Sequence, residues 1–126
     1  MPGLRAYRSG AVLERLRSGE VPEPYATALY IHGRLGAKRI GREDLFNLEL
    51  GDVRTEADAV SIQRPDGVWV KLIPSAVYAL RAYLKSYRRD VDSIYLFPLP
   101  HNSERPASAS HARRYLTRIT NKARSE

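Results

Sequence analysis

The sequence contains no cysteine, and it has only one methionine and one tryptophan in 126 residues. The absence of cysteine excludes disulfide bonds and any metal site built on thiolates. No apolar run approaches the roughly 20 residues that a membrane-spanning helix needs, and no secretory signal pattern opens the chain. We therefore expect a cytoplasmic protein that does not insert into a membrane.

Motifs for common cofactors and catalytic centres are also missing. The chain has no glycine-rich phosphate loop, no zinc-type spacing of histidines and no Gly-x-Ser-x-Gly elbow. A hydrophobic fraction of 43% and a charged fraction of 28% are typical of a globular domain, so these absences do not reflect disorder. We expect one folded domain with no cofactor and no metal ion.

What the chain has in excess is arginine. Of its 21 basic residues 17 are arginine, and with 14 acidic residues the net charge is +7. The guanidinium group makes planar, two-pronged contacts with phosphate and guanine, so this bias favours a nucleic-acid partner. The alternative is a charged surface that reflects adaptation to heat and contacts no nucleic acid.

The middle of the chain has the pattern of a β-hairpin between two helices. Val60 and Ile62 alternate with polar residues, as they do in a half-buried strand, and residues 68–72 alternate in the same way. Between these runs, residues 64–67 read Arg-Pro-Asp-Gly, which suits a tight turn. A helix over residues 75–87 follows, with Val77 and Leu80 on its apolar stripe.

The remaining segments complete an α+β fold of about five helices with a small antiparallel sheet built on the hairpin. Residues 1–23 are predicted to form a basic arm, a short helix and a linker, and residues 24–126 form the main α+β domain. Within these limits the apolar spacing predicts helices at 9–17, 24–35, 42–48 and 108–124, a strand at 93–97 and a loop at 98–107.

Four short motifs come in an order found in a known family: Asp44-Leu45-Phe46-Asn47-Leu48, Asp52-Val53, Ile73-Pro74-Ser75 and Leu96-Phe97-Pro98. Over residues 25–124 the chain resembles the first half of the catalytic domain of tyrosine recombinases, the phage-integrase family. The resemblance implies a truncated integrase-like fold, double-stranded DNA as the partner, and an origin in a virus or mobile element.

The same resemblance implies that the chain does not cleave DNA. Gly41 stands where the family has its first catalytic arginine, with Arg42 one place later and Arg39 two places earlier. Gln63-Arg64 replaces the family's lysine, and arginine is a poor general acid because its pKa stays above about 12. The family's nucleophilic tyrosine helix would follow the last predicted helix. We therefore expect no catalytic residue and no enzyme activity.

His111-Ala112-Arg113-Arg114 spells His-x-x-Arg, the family's second active-site motif. The interval from Leu96 to His111 has no room for the helix that separates the corresponding motifs in the family. We therefore predict that His111 and Arg114 lie exposed on one helix and do not converge with Arg42.

The candidate phosphate-binding residues come from three regions. The basic loop before the helix at residue 42 favours an anion there, the hairpin adds two cations, and the last helix carries a basic stripe beside its apolar one. The predicted DNA-binding set is Lys38, Arg39, Arg42, Arg64, Lys71, Arg114, Arg118 and Lys122.

Two other functions remain open at this stage. In a winged-helix regulator the third helix would read DNA and the hairpin would be the wing; this requires a longer helix at residues 42–48, exposed on one face. In an interaction module without a DNA partner, the charge would only be thermal adaptation.

Overall fold

The computed structural model describes residues 10–125, with side chains as far as Ala123, so the predicted basic arm at residues 1–8 lies outside the described residues. Five α-helices and two antiparallel sheets confirm the predicted α+β class. The helices are α1 (Gly10–Leu16), α2 (Tyr25–Leu35), α3 (Arg42–Phe46), α4 (Pro74–Lys85) and α5 (Ala109–Ser125), and the strands are β1 (Val53–Thr55), β2 (Val60–Gln63), β3 (Trp69–Lys71), β4 (Pro98–Leu99) and β5 (Asn102–Pro106).

The centre of the molecule is α2. Ten of its eleven residues are buried, because α1, α3, α4 and α5 all pack against it. Arg34 is the exposed member, and its Nε donates a hydrogen bond to the Ser75 hydroxyl at 2.9 Å, which links α2 to the start of α4. Because ten residues of α2 are buried, most of the exposed surface of the molecule comes from the elements around it.

The sheet β1-β2-β3 contains the predicted hairpin. Its inner face carries Val53, Ile62 and Val70 in one row across the three strands. The sequence prediction lacked β1, since residues 54–58 read as a turn. On the outer face Arg54 of β1 reaches diagonally to Trp69, with its guanidinium carbon 4.1 Å from the ring centroid. Trp69 is therefore partly covered by an arginine.

Two sequence predictions between residues 93 and 107 are wrong. No strand forms at 93–97, where Tyr95 makes a single bridge to Glu49. The predicted loop at 98–107 instead contains the hairpin β4–β5. The backbone of this segment bonds to residues 48–50, from Leu96 N to the oxygen of Leu48 and from Leu50 N to the oxygen of Ile94. The chain then turns inward at Phe97, whose ring centroid lies 5.4 Å from that of Tyr83 and 6.1 Å from that of Phe46.

The face of α4 is rotated from the predicted one. Its fully buried residues are Ala76, Ala79, Leu80 and Tyr83, whereas Val77 is only partly buried. The small side chains of Ala76 and Ala79 let α4 approach α2 closely. A prediction based on the large apolar residues of α4 could not identify this face. The hydroxyl of Tyr83 then donates to the carbonyl of Leu96 at 2.8 Å, which fixes the inward turn.

Candidate nucleic-acid interface

The hairpin turn and the basic loop before α3 meet in space. The Nη1 of Arg64 donates a hydrogen bond to the backbone oxygen of Arg39 at 3.2 Å. Asp66 accepts two further hydrogen bonds from the Arg64 guanidinium. This pairing raises the pKa of Arg64 and lowers that of Asp66. Arg64 thus lies beside the loop, with part of its charge already balanced.

Arg42 opens α3 with its side chain half buried. Its Nη1 is fully buried, and no acceptor lies within hydrogen-bonding distance among residues 10–125. A buried guanidinium nitrogen without an acceptor costs free energy on the order of 1–3 kcal/mol. Among the residues described, the Nη1 of Arg42 is therefore a hydrogen-bond donor without an acceptor.

His32 of α2 lies against Arg42. Burial, and next the positive charge of Arg42, lower the pKa of His32 to about 4, although a hydrogen bond with the backbone of Ile40 acts in the opposite direction. His32 is therefore neutral near pH 7 and adds no charge to the site. It is a buried histidine that lies beside Arg42.

Arg113 of α5 faces Arg42 across a cavity of about 390 Å³. The cavity is also lined by Gly41 and by two acidic residues, Glu43 and Asp44. Successive residues of a helix are about 100° apart, which places Arg113 on the flank of α5 that turns toward α3. The predicted set does not contain Arg113, although its place just beside the apolar stripe of Ala112 and Leu116 could have indicated this contact.

The predicted stripe of α5 points elsewhere. Lys122 comes nine positions after Arg113, so the two side chains lie about 180° apart around the helix. Lys122 approaches Glu20 with its Nζ 3.7 Å from the carboxylate, and the Arg118 guanidinium lies 5.8 Å from the Tyr115 ring centroid. Lys122 therefore contacts the segment after α1, and neither Lys122 nor Arg118 lines the cavity of Arg42.

The other predicted residues are also dispersed. Lys38 is exposed in the loop before α3. Lys71 lies on the outer face of the sheet and lines a separate cavity with Asp58 and Arg81 of α4. Arg39 and Arg64 are the predicted residues that the structure places beside Arg42's loop.

His111 and Arg114 lie on the single helix α5, and both are exposed, as the sequence predicts. They line a cavity different from the one that Arg42 lines. The His-x-x-Arg motif of this chain therefore lies on one helical face, and neither His111 nor Arg114 lines the cavity of Arg42.

Comparisons with known proteins provide no further assignment: neither a protein-family model, nor a curated protein, nor a solved structure matches the chain. Residues 10–125 contain no grouping of three histidine or acidic side chains that could hold a metal ion. None of the helices described is long and apolar enough to cross a bilayer.

Proposed function

We propose that this protein binds the phosphate backbone of double-stranded DNA without cleaving it. The contact surface is the arginine cluster, defined as Arg39, Arg42, Arg64 and Arg113. Its members come from the loop before α3, from α3, from the hairpin turn and from α5. Arg64 donates a hydrogen bond to the backbone of Arg39, and Arg42 and Arg113 line one cavity.

The buried Nη1 of Arg42 is the observation that carries this proposal. Arg42 and Arg113 line the same cavity, and a phosphate there would accept charge-assisted hydrogen bonds from their guanidinium groups, which are the strong kind. The Nη1 of Arg42 has almost no accessible surface, so it would join this contact only after a shift of the side chain. Arg113 across the same cavity could hold a second oxygen of the same group.

Glu43 and Asp44 line the same cavity and reduce its positive potential. A broad positive field is therefore a poor description of the cluster. The proposed recognition depends on guanidinium nitrogens at fixed positions, which suits a phosphate group better than a diffuse counter-ion layer.

The absence of catalysis belongs to the same proposal. The resemblance to the first half of a tyrosine-recombinase catalytic domain, and a viral or mobile-element origin, agree with a DNA-binding role. His111 and Arg114 line a cavity different from the one that Arg42 lines, and this separation supports a role without strand cleavage. The cytoplasmic location predicted from the sequence goes with this role.

The winged-helix alternative finds less support. It requires a recognition helix longer than five residues and exposed on one face, whereas α3 has five residues and buries Leu45 and Phe46. An interaction module remains the competing function, and it would be favoured if the protein does not bind DNA at low salt.

Arg42→Ala and Arg113→Ala test the proposal in a mobility-shift titration against duplexes of unrelated sequence. Each change should weaken binding to all sequences alike and reduce the slope of log affinity against log salt by about 1, the effect of one lost phosphate contact. The matched control is Arg89→Ala, which removes the same charge from an exposed site. An equal loss in Arg89→Ala would show that net charge alone drives binding.

Incubation with duplex DNA followed by denaturing electrophoresis should reveal no covalent protein–DNA adduct, because among the residues described no tyrosine lines the cavity of Arg42 and Arg113. A phosphotyrosyl linkage on any of the eight tyrosines would contradict the non-cleaving part of the proposal.

A further inference from the structure

A second cavity lies on the opposite flank of α5 from the arginine cluster. It has a volume of about 620 Å³, within the range of small-molecule sites, and it opens between the start of α2, the first turn of α5 and the turn between β4 and β5. Ser110 lines both this cavity and the one beside Arg42, so the two sites are neighbours around the first turn of α5.

Aromatic rings form one wall of this cavity. Tyr25, His111 and Tyr115 contact one another with ring centroids 5.3 Å apart in each pair, and Tyr87 lines the same space. Tyr25 is buried and anchors the group, whereas His111 is exposed. Aromatic side chains that are held in place and partly open to solvent are the surface on which single-stranded nucleic acids stack their bases.

The polar groups of the cavity suit a nucleotide as well. Arg114 and His101 are exposed at its edge, and within residues 10–125 no carboxylate pairs with Arg114. The one acidic lining residue is Glu23, whose two carboxylate oxygens accept hydrogen bonds from the backbone nitrogen and the hydroxyl of Thr27 at 2.9 and 2.7 Å. Glu23 is thus held by α2, and Arg114 is available to a phosphate.

We propose that this aromatic pocket, defined by Tyr25, Tyr87, His101, His111, Arg114 and Tyr115, binds an unpaired nucleotide by base stacking and by a phosphate contact from Arg114. The inference rests on the proposed function in one respect: the strand that supplies this nucleotide continues into a duplex on the arginine cluster. The preferred ligand is then DNA with a single-stranded end or branch.

Binding is measured by fluorescence anisotropy with a blunt duplex, with the same duplex carrying a short single-stranded overhang, and with a free mononucleotide. We expect the overhang to strengthen binding roughly tenfold, since stacking of one base on an aromatic side chain contributes on that order. A 2-aminopurine base in the overhang should lose fluorescence when it stacks. His111→Ala and Arg114→Ala should abolish the preference and leave blunt-duplex binding nearly unchanged.

The matched control is Tyr78→Ala, because Tyr78 lies on α4 outside the pocket and is 66% exposed. Circular dichroism of each variant checks that the fold is retained. Equal binding of blunt and overhang duplexes, or a preference that survives His111→Ala, would overturn the inference while the proposed function stands. If the unmodified protein does not bind the blunt duplex but binds a single strand, and His111→Ala or Arg114→Ala removes that binding, the proposed function is overturned while the inference stands. Equally tight binding of the free mononucleotide would exclude a DNA strand as the source of the ligand.

Discussion

Arg88→Ala is expected to lower the free energy of unfolding by about 3 kcal/mol, whereas Arg89→Ala should change it by less than about 0.5 kcal/mol. Arg88 is only 5% exposed. Its guanidinium donates hydrogen bonds to the backbone oxygens of Val91, Ser93 and Tyr95. Truncation would leave these three carbonyls without their donor in a partly buried place.

Chemical denaturation monitored by far-UV circular dichroism measures the difference. Arg88→Lys is the informative intermediate, because a lysine ammonium keeps the charge but cannot reach three carbonyls in the geometry of a guanidinium fork. We expect Arg88→Lys to lose a large part of the stability that Arg88→Ala loses. Equal stability of Arg88→Ala and Arg89→Ala would show that the hydrogen bonds to the segment after α4 contribute nothing.

Arg88 also supports the aromatic pocket from a distance. The segment it holds continues through Ser93, whose hydroxyl bonds to the backbone oxygen of Ser103 in β5. The hairpin β4–β5 supplies His101 to the pocket. Loss of Arg88 should therefore reduce the preference for an overhang together with the stability, while Arg89→Ala leaves both unchanged.

This arginine shows where reading the sequence stops. Arg88 and Arg89 are adjacent and chemically identical, and the sequence places both in a basic helix end that suits the helix dipole. In the structure Arg88 is buried and donates hydrogen bonds to three backbone oxygens. Arg89 is exposed, with its Nε 3.5 Å from the Oδ1 of Asp90. Their different roles depend on the path of residues 91–95, which is set by tertiary packing around Phe97.

The elements that periodicity could predict are those with one clear apolar face. α1, α2 and the hairpin β2–β3 lie within one or two residues of their predicted bounds. The hairpin β4–β5 could not be predicted, because all its strand residues except the buried Pro98 are exposed or half buried, and Pro98 comes just before the turn and Pro100 lies in it. Strand pairing there is a consequence of the neighbouring fold and leaves no alternating pattern.

The candidate site was predictable in part for a similar reason. The basic loop before α3 identified Arg39 and Arg42 through local charge alone. The positions of Arg113 and of the aromatic pocket depend on the rotation of α5 about its own axis relative to α2 and α3. The spacing of apolar residues shows which side of α5 is buried, but it does not show which neighbouring element each flank faces. The exposed stripe of Arg118 and Lys122 was the more conspicuous pattern, and it lies on the other side of α5.

His32 should make the protein lose about 2 kcal/mol of stability between pH 7.5 and pH 5. Its pKa is about 4 in the folded protein, because of burial and the charge of Arg42, and about 6.5 in an unfolded chain. As the pH falls below 6.5, His32 becomes protonated in the unfolded chain but stays neutral in the folded chain. Proton binding therefore lowers the free energy of the unfolded state and reduces the free energy of unfolding. The loss grows until the pH reaches about 4, where folded His32 is protonated too.

Denaturant titrations across this pH range should be compared with those of His32→Gln, which can donate a hydrogen bond but does not titrate. The variant should flatten the pH dependence even if its stability at pH 7.5 is lower. Arg42→Ala provides the link to the proposed site: removing the guanidinium allows the folded pKa of His32 to rise toward its ordinary value, so the loss on acidification should become smaller. An unchanged pH dependence in His32→Gln would mean that His32 does not cause the loss of stability. An unchanged pH dependence in Arg42→Ala would mean that the charge of Arg42 does not lower the pKa of His32.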